Sequence, residues 1–131
     1  MKKVILSVIA IISLTVISCK NEAKTEKEVP TTTVEGRELS VANFGVRGNC
    51  GMCKTTIEKA AKSVDGVTAA TWDVKKKSIT ITYDEAKVKE KEFHKAIAAA
   101  GYDTDQATGD KVAYKNLPKC CKFDANMPMN Q

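Results

Sequence analysis

Cys50 and Cys53, the ends of the run Cys50-Gly51-Met52-Cys53, lie one helical turn apart and are the residues of this chain best placed to do chemistry. They follow a strand-like stretch and open an amphipathic one. A helix N-terminus offers unpaired N–H groups and a positive dipole end, and both favour thiolate over thiol. A thiolate pair so placed can grip one soft metal ion or shuttle electrons as a dithiol. Cu(I), the first choice here, and Hg(II), the second, are satisfied by two soft donors. Zinc asks for about four donors in a tetrahedron, and no histidine or carboxylate cluster accompanies the pair. The single histidine, His94, falls mid-helix beside Phe93 and reads as a surface residue rather than a ligand.

The chain has five cysteines. Cys19 closes an apolar run, which leaves Cys50, Cys53, Cys120 and Cys121. As staples these are poor. A Cys50–Cys53 bridge would close almost no loop, and a vicinal Cys120–Cys121 bridge is strained. They read instead as reactive or ligating thiols. Met127 and Met129 follow the second pair, and thioether beside thiolate favours Cu(I). This tail cluster either folds back to complete a three- or four-coordinate site, holds a second ion, or is an idle chain end.

Positioning the first pair falls to the elements around it. Residues 39–46 read as a strand with Ala42, Phe44 and Val46 on one side. Beyond the cysteines, Ile57, Ala60, Ala61 and Val64 recur at helical spacing until Asp65-Gly66 stops the pattern. Residues 67–74 form a second strand carrying Ala70 and Trp72. In a third, Ile79, Ile81 and Tyr83 alternate with Thr80 and Thr82. A second helix spans 87–100, burying Val88, Phe93, Ala96, Ile97 and Ala100, and a short last strand covers 102–107. The order strand, helix, strand, strand, helix, strand predicts an α+β fold. It is a ferredoxin-like βαββαβ sandwich, a four-stranded antiparallel sheet with two helices on one face.

The remaining segments differ in composition. Residues 1–19 resemble a bacterial lipoprotein signal. Lys2 and Lys3 precede an apolar stretch ending in Val16-Ile17-Ser18-Cys19, where Cys19 would be lipidated. A plain cleavable signal or an uncleaved anchor are the other readings. Residues 20–37 are too polar to fold and read as a disordered tether, residues 38–108 hold the domain, and residues 109–131 form a Cys/Met-containing tail in which Val112, Tyr114 and Leu117 could dock against the domain. The net charge of +5 includes Lys2 and Lys3, and no aromatic-interleaved basic stripe supports nucleic-acid binding.

The domain resembles the heavy-metal-associated family of copper chaperones, metal-ATPase modules and mercuric-ion binding proteins. The matching residues are the Cys50-Gly51-Met52-Cys53 motif, Asp65-Gly66-Val67, the run Ile79-Thr80-Ile81-Thr82-Tyr83-Asp84, and Ala100-Gly101-Tyr102. The family's methionine two residues before the first cysteine is replaced here by Gly48, preceded by Arg47, which predicts a looser loop. The resemblance implies metal ligation by Cys50 and Cys53, with Tyr102 either facing and tuning them or standing simply as the last core aromatic. Lys54, next to the pair, either offsets thiolate charge or is a solvated helix residue. The sequence shows no Ser/His/Asp set, phosphate loop or paired carboxylates, so no enzymatic activity is expected, and a monomer is. The expected partner is a metal-transporting P-type ATPase, an efflux system or an uptake transporter, met from a lipid-anchored, periplasm-facing position in the cell envelope. The rival class is a thiol–disulfide oxidoreductase. Such sites usually carry an aromatic before the first cysteine and a proline within or opposite the pair. Here Asn49 and Gly51-Met52 stand instead, and Pro30, Pro118 and Pro128 all lie outside the folded unit.

Overall fold

Alternation with a period of two sets the sheet. In the computed structural model, which describes residues 32–34 and 37–130, three long strands and one short one are present. They are β1 (Thr32–Val34), β2 (Arg37–Gly45), β3 (Val67–Asp73) and β4 (Ser78–Asp84). All neighbours are antiparallel, in the order β1-β2-β4-β3. Register aligns the apolar residues into rows: Phe44, Ile79 and Trp72 form one, and Ala42, Ile81 and Ala70 the next. The opposite face carries Asn43, whose amide nitrogen donates to the Thr80 hydroxyl at 3.2 Å in solvent. Thr80 thus takes the exposed face that its alternation predicts.

Helices α1 (Gly51–Lys62) and α2 (Glu90–Ala99) cover the apolar face. Cys53, Ile57 and Ala61 point inward from α1 at steps of four, and Phe93, His94, Ile97 and Ala98 do so from α2. Complete burial of such aliphatic and aromatic side chains contributes roughly 1.5–3 kcal/mol each. Trp72, Ile57, Ile79, Ile81, Phe93 and Ile97 are all fully buried. Because β2 and β3 both run antiparallel to β4, they are parallel to one another. With α1 between them in sequence they form a split βαβ unit. Gly66, at φ +95°, turns the chain out of α1, and its carbonyl accepts the Asp84 N–H at 2.8 Å.

Several expectations are corrected. The second helix starts at Glu90 rather than 87, because Asp84 takes the N–H groups of Ala86, Lys87 and Val88 and holds that segment as a turn. The strand expected over 102–107 does not form. Its place beside β2 is taken by a single bridge between Val46 and Thr104. The Thr104 hydroxyl accepts the N–H groups of Gln106 (3.2 Å) and Ala107 (2.9 Å), curling the chain after one paired residue. His94 is no surface residue. It is 2% exposed, with its ring centroid 3.8 Å from that of Phe44 and Nδ1 2.9 Å from the Thr104 hydroxyl.

Both ends of the domain also differ. β1 lies within the stretch read as a tether and pairs with the start of β2. The signal, Cys19 and most of that tether lie outside the described residues. The tail is ordered on the domain. Asp110 caps a short helix α3 (Lys111–Asn116) by accepting the Ala113 N–H at 2.7 Å. After Pro118 a 3-10 turn follows over Lys119–Cys121. Gly101, at φ +91°, admits α3 against it: a Cβ there would meet the Tyr114 backbone nitrogen at 2.6 Å.

Candidate metal centre

Cys50 stands at the N-cap of α1 in extended conformation and Cys53 one turn later, so both sulfurs meet at the helix start. Their Sγ atoms are 3.5 Å apart. The Cys53 backbone N–H and then its thiol, both at the Cys50 sulfur, lower the Cys50 pKa from 9.0 to about 7. Cys53 is fully buried, and its sulfur accepts the Asn49 N–H at 3.3 Å. Cys50 is half-buried.

A third sulfur joins them from the tail. Cys121 Sγ lies 3.8 Å from Cys50 Sγ, and the sulfurs of Cys50, Cys53 and Cys121 all fall within 4.8 Å of one another. Cys121 is 1% exposed, and burial first, then the thiols beside it, push its pKa up to about 12. The four described cysteines are free thiols. Tyr102 is fully buried, and its hydroxyl has no conventional hydrogen-bond partner among the described residues. Burial, with the Cys53 and Cys121 sulfurs next to it, raises that hydroxyl's pKa. A hydroxyl held this way is a donor waiting for sulfur that carries more negative charge.

The loop before the pair is tied on both sides. Arg47 donates through Nε to the Met127 carbonyl (2.8 Å) and through Nη1 to Asp103 (3.0 Å). The Asn49 side-chain amide donates to the Lys122 carbonyl at 2.6 Å. Gly48 has no room for a side chain: a Cβ would meet Trp72 Cη2 at 2.9 Å and Cys53 Cβ at 3.2 Å. The Trp72 indole therefore fills the space beneath the loop, with its Nε1 donating to the Val46 carbonyl at 3.1 Å. The looser loop expected from Gly48 is corrected by this packing.

The other expected residues divide. Tyr102 packs beside the Cys53 and Cys121 sulfurs. Lys54 does not: its Nζ donates to the Trp72 carbonyl and pairs with Glu58, each at 2.6 Å, so its charge is already matched. Cys120 is exposed and turns to Met52, its sulfur 3.7 Å from the Met52 thioether and 4.0 Å from Cys121 Sγ. Met127 packs on the core, and Met129 lies over Gly45, where a Cβ would meet its own Cβ at 2.6 Å. Met52, Asn49 and Phe123 were not singled out from the sequence. Phe123 stacks on Tyr102 with centroids 6.1 Å apart, seating Cys121 beside it. Cys121 and Phe123 are buried with Lys122 between them, an alternation too short to be read from the sequence.

Fold and thiols together define a class, a small α+β unit presenting soft-metal donors at a strand-to-helix junction. The chain belongs to the heavy-metal-associated domain family, whose profile matches residues 49–103. The copper chaperone CopZ of Staphylococcus aureus (strain Newman) is 36% identical over 55 residues, covering 42% of this chain and 81% of that protein. Among solved structures, a CopZ metallochaperone is 35% identical with a TM-score of 0.48, covering 50% of this chain and 98% of its own. Oxidized MerP from Ralstonia metallidurans CH34 is 29% identical with a TM-score of 0.49, over 51% and 94%. The family match ends before Thr104, so Cys120 and Cys121 lie beyond it.

Proposed function

We propose that this chain binds Cu(I) through Cys50 and Cys53 and delivers or sequesters it. The observation that carries this is the pair of free sulfurs 3.5 Å apart at the head of α1, one of them with its pKa brought down to about 7. Near neutral pH that sulfur is substantially thiolate, the form that ligates. The family and the copper chaperone relative support copper as the cargo. Hg(II) is the second candidate, since it accepts the same two soft donors. Ligation exchanges thiol protons for the ion: each cysteine still protonated when it binds releases its proton to solvent, and no electrons move.

Transfer would run by ligand exchange, with a partner's thiolate attacking the bound ion and displacing one cysteine at a time. A metal-transporting P-type ATPase or another metal transporter fits that role. Anchoring through Cys19 would place the exchange outside the cytoplasm. The test is native mass spectrometry of the reduced, anaerobic protein offered Cu(I), Hg(II) and Zn(II) in competition. One Cu(I) should bind per chain, and Cys50→Ser/Cys53→Ser should lower that affinity by at least about a hundredfold, or ~2.7 kcal/mol. Indifference to both soft ions combined with turnover of disulfide substrates would overturn the reading in favour of a thiol–disulfide oxidoreductase.

A further inference from the structure

The cluster holds one sulfur more than the pair requires, and the chain goes to some length to put it there. Cys121 arrives from 68 residues beyond Cys53 in sequence. Its segment is fixed at four points around the thiols. The Asn49 amide binds the Lys122 carbonyl, Arg47 binds the Met127 carbonyl, the Tyr114 hydroxyl donates to the Phe123 carbonyl at 2.8 Å, and Phe123 stacks on Tyr102. Two of the four, Asn49 and Arg47, belong to the loop that carries the first cysteine. A tail of incidental cysteines has no need to be buttoned to that loop.

We infer that the tail is an internal third arm of the metal centre: Cys121 joins Cys50 and Cys53 as a ligand, making the site trigonal and slowing release of its ion. The inference rests on the reading of Cys50 and Cys53 as ligands. The three sulfurs are mutually within 4.8 Å, which a single trigonal ion can bridge with small side-chain adjustments. The buried Tyr102 hydroxyl, without a hydrogen-bond partner among the described residues, has the Cys53 and Cys121 sulfurs as its neighbours. The charge of a trithiolate complex is met there by that hydroxyl, the Asn49 N–H and the α1 N-terminus.

The consequence for exchange follows from coordination number. A partner's thiolate enters a two-coordinate ion through an open third position. In this chain that position is occupied from within, so the tail must leave, breaking the Asn49 and Arg47 contacts, before a partner enters. Ion binding then replaces up to three thiol protons, all lost to solvent, and transfer returns the Cys121 proton first.

X-ray absorption on the reduced, Cu(I)-loaded full chain should show three sulfur neighbours, and two in Cys121→Ser. Cu(I) removal by a colourless-to-coloured bicinchoninate chelator, followed anaerobically, should be at least about tenfold faster in Cys121→Ser. Asn49→Ala keeps all three sulfurs and loosens only the tail, so it should show three sulfur neighbours with an intermediate release rate. Circular dichroism of each variant checks that the domain is folded. Two sulfur neighbours in the parent chain, or equal release rates in all three folded proteins, would overturn the inference while leaving the Cys50–Cys53 reading intact. Absence of bound Cu(I) in parent and variant alike would overturn both.

Discussion

At the scale of single residues, the site is built from groups whose hydrogen-bonding capacity is left incomplete in one direction only. Tyr102 shows this most plainly. Its ring is core, stacked on Phe123, while its hydroxyl is buried without a hydrogen-bond partner among the described residues. An unsatisfied buried hydroxyl costs about 1–3 kcal/mol, so removing it should not harm the metal-free fold. Tyr102→Phe should therefore leave the urea midpoint of the metal-free protein unchanged or raised. The same change removes a donor to ligating sulfur, so Cu(I) affinity should fall by about threefold to tenfold, or roughly 1 kcal/mol. Paired urea titrations with and without Cu(I) separate the two effects. A large loss of metal-free stability would show instead that the hydroxyl is already well bonded.

At the scale of elements, legibility followed periodicity. Strand β4 and the cysteine-headed helix α1 could be read from the chain because their apolar residues recur at steps of two and four. Cys50 and Cys53 were legible for the same reason, since a helix start fixes what two residues three apart can do together. Residues 102–107 could not be read this way. Tyr102 and Thr104 alternate as a strand would, but the Thr104 side chain competes for backbone N–H groups and wins. Position within the tail was illegible because it is decided by contacts more than seventy residues away, such as Arg47 to the Met127 carbonyl. Of the three residues expected to dock there, Tyr114 and Leu117 pack on the core, while Val112 is exposed. The Thr104 turn is itself testable. Thr104→Val keeps the shape but strips the acceptor from two N–H groups and the partner from His94 Nδ1. It should destabilise the fold by about 2 kcal/mol, read from the denaturant midpoint.

At the scale of the whole molecule, a histidine enclosed between sheet and helix couples stability to acidity. Phe44 of β2 and Phe93 of α2 flank the His94 ring, the Thr104 hydroxyl meets Nδ1, and Nε2 has no partner among the described residues. Burial lowers the His94 pKa below 6.5, against the opposing pull of Asp105, whose carboxylate is 3.9 Å from Nδ1, and of Glu90 on its own helix. The unfolded chain then binds a proton at a pH where the folded one does not. Stability from this group is complete above pH 6.5 and is lost as pH falls toward the lower folded value. Other shifted groups act elsewhere. The lowered carboxyls of Glu58 and Asp73 act below their ordinary values of 4.5 and 3.8, and the Cys50 thiol between about 7 and 9. Urea unfolding of the reduced protein between pH 6.5 and 5 should therefore isolate the histidine. The parent chain should lose stability steadily across that range, and His94→Leu, which cannot take up the proton, should be flat. A parallel decline in both proteins would place the acid sensitivity on some other group and return His94 to a purely packing role.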